Sequence, residues 1–270
     1  MSAMPVQIPR PPEGFREIRR DHATIWTRPE IEAWVRNGLS AGERLYEVAR
    51  AQVEGHAELE GRAPVFLLRS PPVDRVVRHY VRGGTIASGL GDRYLRVGVP
   101  RPFREAVVSE QLRALDVPTP QVLAAAYYPA GAFYRGDLIT EYVPNGVDVA
   151  ELLFGADDDP TSEPFRIAVL REVGRLVASL CAIGIVHPDL NLKNFLVQQE
   201  RGVTLAGRRP PRIHLLDLDR CRLRRRGSSP ASGRRMKRRV LRSLSKWERA
   251  TSRPLTPAER RALEEELNRI

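Results

Sequence analysis

Three polar side chains, Asp189, Asn194 and Asp217, have types and spacings that suit the transfer of a phosphoryl group. This reaction asks a protein for positioning and charge neutralisation more than for covalent chemistry. Asp189 is the candidate to orient an attacking hydroxyl and to accept its proton. Mg²⁺ prefers oxygen ligands, and Asn194 and Asp217 offer an amide oxygen and a carboxylate. We therefore predict a catalytic carboxylate at Asp189 and a metal site at Asn194 and Asp217.

The segment His187–Asn194 fits the pattern H-x-D-L-x-x-x-N, which is typical of the catalytic loop of protein-kinase-like phosphotransferases. Asp217 follows an apolar strand, where that fold places its metal-binding aspartate. Each feature alone has a plainer interpretation, because a loop Asp is more often a cap or a turn former. The two features together, in this order, favour catalysis. We expect His187 to stabilise the loop rather than to act as an acid or base.

Local patterns predict the elements that position these groups. Apolar residues at spacings of three and four predict a helix over 165–182, and Gly184 ends it. The apolar segments 195–197 and 213–216 predict two antiparallel strands. Such a hairpin would return Asp217 to the side of Asn194.

The N-terminal half carries a second set of candidates. Segment 73–80 predicts a strand at the place where the kinase plan has a phosphate-binding Lys, and the basic residue in phase here is Arg78. Glu105, on a predicted helix over 102–115, is expected to hold that cation, with Glu110 as the alternative. Arg78 as an exposed strand cation is the plainer interpretation. Gly61 suggests a turn over phosphates or an ordinary hairpin turn, because the usual glycine-rich pattern is absent.

Strands predicted over 122–126 and 138–143 end in a turn at 144–146 that resembles a hinge between two lobes. The backbone from Glu141 to Val143 is expected to hydrogen-bond an adenine ring. The predicted organisation is an N-terminal arm with accessory strands and helix (1–58), an N-lobe (59–143) and a C-lobe with basic C-terminal helices (144–270). The fold class is α+β: a two-lobed protein-kinase-like fold with an antiparallel-sheet N-lobe and a mainly helical, shortened C-lobe.

The formal net charge of +11 predicts an anionic partner, such as nucleic acid, an acidic lipid surface or a phosphorylated substrate. The cations concentrate in runs over 222–226 and 234–242. A predicted helix over 234–250 has an apolar stripe, so it packs on the lobe, lies on an anionic membrane surface, or does both. A merely solvated surface is the plainer alternative. The three acids at 157–159 favour a solvated turn over a metal site.

Two cysteines in 270 residues are too few for a disulfide framework, which favours a reducing cytoplasm. The first fifteen residues are rich in proline and lack an apolar core, so no signal peptide is expected. No apolar run approaches the length that spans a bilayer.

The chain resembles the lipopolysaccharide kinase family, the group of Kdo (3-deoxy-D-manno-octulosonic acid) kinases and core heptose kinases, over roughly residues 59–247. Three stretches carry the resemblance: Val76–Gly84 with Gly91–Leu95, Phe103–Glu105 through Val117–Pro120, and Asp189–Asn194 with Leu215–Arg220. Asn191 and the D-x-D ending at Asp219 suit this family better than protein kinases, whose pattern ends in D-F-G.

The resemblance implies transfer of the γ-phosphate of ATP, with Mg²⁺, to a hydroxyl of Kdo attached to lipid A. It also implies that the protein acts at the cytoplasmic face of the inner membrane of a Gram-negative bacterium, where the acceptor is anionic and lies in an anionic surface. Lys193 is expected to help neutralise the transferring group.

Other functions stay open at this stage. A kinase of the same fold could act on heptose, an antibiotic or a protein, since fold does not decide function. A basic nucleic-acid-binding protein would explain the arginine runs but not the kinase order of the acidic residues, so no nucleic acid is expected. A pseudokinase scaffold would fail to bind Mg²⁺ and ATP.

Overall fold

The structure is a computed structural model that describes residues 6–52, 58–59, 64–81, 91–155, 162–198, 210–224 and 229–270. The chain forms two compact units. The first contains residues Met1–Gln111 and Pro120–Tyr142, and the second contains Leu112–Thr119 and Val143–Ile270. An antiparallel sheet dominates the first unit and helices dominate the second, so the predicted α+β class is confirmed.

The first unit is built on one antiparallel sheet with the strand order β1-β2-β7-β8-β5-β4-β3, and β6 pairs with β8. Its strands are β1 (Arg16–Arg20), β2 (Ala23–Thr27), β3 (Glu58–Leu59), β4 (Val65–Leu68), β5 (Arg75–His79), β6 (Tyr94–Leu95), β7 (Val122–Ala130) and β8 (Phe133–Glu141). Its helices are α1 (Glu32–Ser40), α2 (Leu45–Gln52) and α3 (Arg101–Arg113). The first two strands extend this sheet, because β2 pairs with β7.

Side chains alternate between the two faces of the sheet, as the period of two in a strand requires. On one face, Val35 of α1 and Leu45 of α2 share a buried cluster with Val77 of β5. On the other face, Phe103 of α3 stacks on Trp26 of β2 with ring centroids 4.2 Å apart. Because Arg78 follows Val77 in β5, its side chain lies on the α3 face.

In the described part of the second unit, four α-helices accompany two small antiparallel sheets. Its elements are β9 (Gly146–Asp148), α4 (Val149–Phe154), α5 (Glu163–Ala182), β10 (Ile185–Val186), β11 (Phe195–Gln198), β12 (Arg212–Leu215), β13 (Arg222–Leu223), α6 (Pro230–Thr251) and α7 (Pro257–Leu267). Strand β11 lies between β12 and β9, and β10 pairs with β13. The sequence predicted the β11–β12 hairpin but not β9, which is only three residues long.

Helix α7 packs closely against α5 where a glycine removes the side chain. A Cβ on Gly174 would lie 2.7 Å from the Cβ of Glu266 and 3.0 Å from the carbonyl oxygen of Leu263. Beside this contact, the Arg166 guanidinium pairs with the Glu259 carboxylate at 2.5 Å. The side chain and backbone of Thr256 form a capping box with Glu259 at the start of α7. Glu259 therefore fixes both the first turn of α7 and its contact with α5.

Replacing Gly174 with Val should destabilise the protein by about 1–3 kcal/mol, because the added carbons overpack a contact that involves backbone. For a chain of this size, each kcal/mol corresponds to a melting temperature about 2–4 °C lower. Thermal unfolding followed by circular dichroism measures the effect. Ala182→Val, at an exposed position of the same helix, is the control for the cost of a β-branched residue, and equal melting temperatures for the two variants would contradict the packing argument.

Helix α6 presents an apolar stripe inward and cations outward. Met236, Val240 and Leu244 recur at spacing four and are buried, whereas most of the arginines between them are exposed. Leu241 lines a groove of 790 Å³ together with arginines of the outer face. Among the described residues, no helix has the length and apolar character needed to cross a bilayer.

Candidate active site

The loop that carries Asp189 is fixed at both of its ends. Gly184 takes a φ of +88° directly after α5, a conformation that glycine adopts at low cost. The chain then runs through β10, which pairs with β13. Leu190 and Leu192 are buried on either side of Asn191, so the polar residues of the loop are held between apolar anchors.

The Asp189 carboxylate lies between two arginines. Its Oδ2 is 2.5 Å from Nη1 of Arg220, and its Oδ1 is 3.8 Å from Nη1 of Arg239. Its side chain remains 39% exposed. The Asn191 amide donates to the Asp189 carbonyl at 3.0 Å, and its oxygen accepts from the Lys193 backbone at 2.9 Å. Hydrogen bonds within the loop therefore fix its conformation, and the Asp189 carboxylate is paired with cations and accessible to solvent.

The hairpin brings Asn194 and Asp217 together, as predicted from the two strands. Phe195 pairs with Leu215, so the next residues outward, Asn194 and Leu216, also face each other. The Leu216 amide donates to the Asn194 carbonyl at 2.8 Å, and the Asn194 side-chain nitrogen lies 3.4 Å from the Leu216 carbonyl. Asp217 follows immediately with φ +60°. Such a conformation is sparsely populated by residues other than glycine and is common at functional sites.

The oxygen atoms at this corner suit a hard cation. Because the Asn194 nitrogen faces the Leu216 carbonyl, its amide oxygen is the atom left for a metal. Asp217 is exposed, and its carboxylate has an oxygen within 4.8 Å of one from the buried Asp219. Amide and carboxylate oxygens are the protein ligands that Mg²⁺ prefers. The donor set therefore fits the predicted ion, although the assignment of Asn194 and Asp217 to metal stays a prediction.

His187 acts as a structural link between the loop and the hairpin. Its side chain is buried, and Nε2 lies 3.2 Å from the Leu216 carbonyl, to which it donates. Among the described residues, Nδ1 has no hydrogen-bond partner. Burial lowers the pKa of His187, and the bond to Leu216 offsets this only in part. A neutral, buried imidazole suits the positioning role that the sequence indicated.

Helix α6 packs directly against the loop. The Leu192 amide donates to the Ser243 hydroxyl at 3.1 Å. The ammonium group of Lys193 lies 5.4 Å from the ring centroid of Trp247, and that ring stacks on Phe154 at 6.3 Å. Lys193 is exposed beyond this contact. Its predicted role in neutralising the transferring group stays a prediction.

In the first unit, the strand cation and the helix carboxylate meet. One guanidinium nitrogen of Arg78 lies 2.7 and 2.8 Å from the two carboxylate oxygens of Glu105, and the Tyr80 hydroxyl also donates to Glu105. Glu110, the alternative partner, instead pairs with Arg28 at 2.7 Å. The arrangement fixes the direction of the Arg78 side chain, while its contact with phosphate stays a prediction.

In the predicted adenine-binding stretch, two of the backbone amides already donate hydrogen bonds within the first unit. The Glu141 amide donates to the Gln121 carbonyl at 2.8 Å, and the Tyr142 amide donates to the Asp74 carbonyl at 2.9 Å. The backbone donor of this stretch that suits the predicted role is therefore the amide of Val143. The suggested phosphate turn at Gly61 and the acids at 157–159 lie outside the described residues.

Two kinds of site residue escaped the sequence analysis. Asp219 was noted only as the end of the D-x-D pattern, and its burial beside Asp217 appears only in the fold. Arg220 was named only as the end of the third stretch of the family resemblance, and Arg239 only as one of a run of cations. The D-x-D pattern was a usable signal for Asp219, whereas Arg239 stands fifty residues from Asp189 and no local pattern links the two.

A buried histidine in β12 makes the stability of this unit sensitive to acid. Burial, and secondarily Arg212 and Arg113, lower the pKa of His214 from 6.5 to about 4. In the unfolded chain, His214 therefore binds a proton as the pH falls below 6.5, whereas in the folded chain it binds this proton only near pH 4. Stability is fully present above pH 6.5 and falls as the pH drops, by roughly 2 kcal/mol at pH 4.5.

Replacing His214 with Gln should flatten this acid dependence. Urea unfolding between pH 7.5 and pH 4.5 measures it, with the exposed His22→Gln as the control. The readout is the change in unfolding free energy with pH, which is separate from any constant loss of packing. Parallel profiles for the wild type and His214→Gln would rule out His214 as the source.

Comparisons with known proteins find relatives over most of the chain. Residues 47–265 match the model of the lipopolysaccharide kinase (Kdo/WaaP) family. A 3-deoxy-D-manno-octulosonic acid kinase from Actinobacillus succinogenes is 30% identical over 222 residues, which cover 76% of this chain and 80% of that protein. The protein of the same name from Vibrio vulnificus strain YJ016 is 27% identical over 185 residues, 68% of this chain and 70% of that protein.

The solved structure of WaaP in complex with acyl carrier protein matches with a TM-score of 0.55 and 19% identity, covering 88% of this chain and 87% of that one. At this identity the match concerns the fold alone, and it supports the predicted kinase-like architecture. The family model spans most of the chain and includes both Asp189 and Asp217. The chain belongs to the lipopolysaccharide kinase (Kdo/WaaP) family.

Proposed function

We propose that this protein transfers the γ-phosphate of ATP to a hydroxyl of Kdo attached to lipid A, in the synthesis of the lipopolysaccharide inner core. One observation carries the proposal: Asp189 lies on a fixed loop whose hairpin brings Asn194 beside Asp217. The relatives of this chain that are named 3-deoxy-D-manno-octulosonic acid kinase support Kdo as the acceptor.

In this proposal, Asp189 orients the acceptor hydroxyl and takes its proton as the oxygen–phosphorus bond forms. Asn194 and Asp217 hold Mg²⁺, which supplies charge neutralisation on the phosphate oxygens when bound. Arg78, oriented by Glu105, contacts phosphate, and Lys193 adds positive charge. The Val143 amide, with the carbonyl of Glu141, is assigned to the base of the nucleotide.

We also propose that the protein works in the cytoplasm at the inner membrane of a Gram-negative bacterium. The outer face of α6 supports this part of the proposal, because five cations line its groove: Arg234, Arg235, Lys237, Arg238 and Arg242. Such a surface is attracted to anionic headgroups within a Debye length. Flotation with anionic and with neutral vesicles, at low and high salt, measures this attraction. Nucleic acid has no part in the proposed activity.

Mass spectrometry of a Kdo-bearing lipid A precursor, after incubation with purified protein, Mg²⁺ and ATP, tests the activity. A gain of one phosphate, absent with Asp189→Ala, is the expected result. No gain, together with Mg²⁺-dependent ATP binding, would refute Kdo as the acceptor and direct the search to heptose. No binding of ATP would refute the kinase activity itself.

A further inference from the structure

Both oxygens of the proposed catalytic carboxylate face a guanidinium. Arg220 approaches Oδ2 of Asp189 at 2.5 Å, and Arg239 approaches Oδ1 at 3.8 Å. A carboxylate has about four lone-pair directions, and here Arg220 takes one of them while Arg239 crowds the second oxygen, so the two cations compete with an incoming hydroxyl for Asp189. Withdrawal of either arginine would therefore open more of the Asp189 carboxylate to the acceptor hydroxyl.

The two ion pairs are suited to exchange. The side chains of Arg220, Arg239 and Asp189 are 54%, 45% and 39% exposed. Ion pairs this open to water contribute little to stability. A second carboxylate entering from solvent can take over the guanidinium hydrogen bonds at small cost, and the planar fork of Arg matches the geometry of a carboxylate.

The two arginines come from different elements that converge on one point. Arg220 ends the 3-10 turn that directly follows Asp217. Arg239 lies on α6, next to the buried Val240 and one turn before Ser243, which binds the loop at Leu192. The backbone positions of both cations are thus fixed relative to Asp189, and only their side chains need to move.

We propose that Arg220 and Arg239 bind an anionic group of the acceptor, the carboxylate of its acid sugar, and that this binding frees Asp189 for the neighbouring hydroxyl. The inference rests on the proposed function, and it names the groups that recognise the acceptor. Without acceptor, the arginines hold Asp189. With acceptor, its carboxylate replaces Asp189 at the guanidiniums, so that recognition and the freeing of the base occur together.

Steady-state kinetics with acceptors that differ in one charge test the proposal. The acceptors are the Kdo-bearing lipid A precursor, the methyl ester of its Kdo carboxylate, and the precursor without lipid A phosphates. The wild type should prefer the free carboxylate over the ester by roughly ten- to hundredfold in kcat/KM, because the ester loses the charge of the carboxylate and with it the charge-assisted hydrogen bonds to the guanidiniums. Removal of the lipid A phosphates should leave this preference unchanged.

Arg239→Gln and Arg220→Gln should each raise the KM for the carboxylate acceptor about tenfold and leave the KM for ATP unchanged. Neither should lower turnover of the ester, which has no carboxylate to displace Asp189 from the guanidiniums. Loss of one ion pair to Asp189 should instead raise turnover of the ester. Arg239→Lys should restore part of the affinity. The control is Arg249→Gln, which removes an exposed cation from the last turn of the same helix and should change none of these constants.

Three results would overturn the inference. If Arg220→Gln and Arg239→Gln lower kcat/KM equally for the free carboxylate and for the ester, the arginines only position Asp189. A raised KM for ATP would assign them to the nucleotide phosphates. Dependence of the preference on lipid A phosphates would assign the anion site to those groups.

The proposed function and this inference fail separately. Absence of any transfer to Kdo by the wild type overturns the function. Calorimetric binding of the acid sugar acceptor then decides the inference: binding that Arg239→Gln and the methyl ester both weaken supports it, and binding that neither change affects refutes it.

Discussion

Asp189→Asn should lower kcat by about 10³-fold or more while leaving the affinity for Mg²⁺-ATP nearly unchanged. The substitution keeps the size of the side chain, but it replaces one acceptor oxygen with an NH2 donor and removes the negative charge that accepts a proton. General bases typically contribute 10²- to 10⁴-fold, and the amide also loses its attraction for Arg220 and Arg239. Phosphate transfer to the acceptor measures the loss, and a nucleotide-binding titration measures the affinity.

Folding must be separated from chemistry in this experiment. Asp189 is partly exposed and its ion pairs are open to water, so the variant should unfold at nearly the wild-type temperature. Glu265→Gln, on the exposed side of α7, is the charge-matched control and should keep full activity. Wild-type turnover by Asp189→Asn would remove Asp189 from the mechanism.

Asp217→Asn is expected to lower kcat by about 10²- to 10³-fold and to raise the Mg²⁺ concentration needed for half-maximal activity. An amide oxygen is a weaker ligand than a carboxylate for this ion, so the variant would bind less of the Mg²⁺ that neutralises the phosphate oxygens. Asn is the natural choice, because it tolerates the left-handed backbone that Asp217 adopts. Titration of activity with Mg²⁺ at saturating ATP measures both effects.

The chain offers a close control for this substitution. Asp116 also has a left-handed backbone, with φ +57°, and it lies outside the candidate site. Asp116→Asn therefore makes the same chemical change in the same conformation and should leave the Mg²⁺ titration unaltered. An Asp217→Asn enzyme with an unchanged Mg²⁺ requirement would refute the metal assignment.

The site residues that sequence analysis found share a local signature. Asp189 and Asn194 lie in one short loop, and Asp217 is tied to them by a hairpin whose strands are apolar and close in sequence. Hydrophobic patterning determines the register of such a hairpin, and the structure has the expected pairing of Phe195 with Leu215. Local pattern and tertiary geometry therefore agree in this part of the second unit.

The rest depended on contacts that leave no local pattern. Glu105 and Glu110 were both possible partners for Arg78, and only the packing of α3 on the sheet decides between them. Arg239 belongs to a run of cations in which each residue has the same chemical type. Only Arg239 is placed near Asp189 by the contact of α6 with the loop, and no local sequence pattern predicts that contact.

In addition to the ion pair between Arg220 and Asp189, the backbone amide and carbonyl of Leu216 join the catalytic loop to the metal-binding corner. Its carbonyl accepts from His187 and faces the Asn194 amide, while its own amide donates to the Asn194 backbone. None of these bonds involves the leucine side chain. The relative positions of Asp189 and Asp217 therefore depend on main-chain hydrogen bonds that place no requirement on the side chain at position 216, except that proline would remove the amide hydrogen.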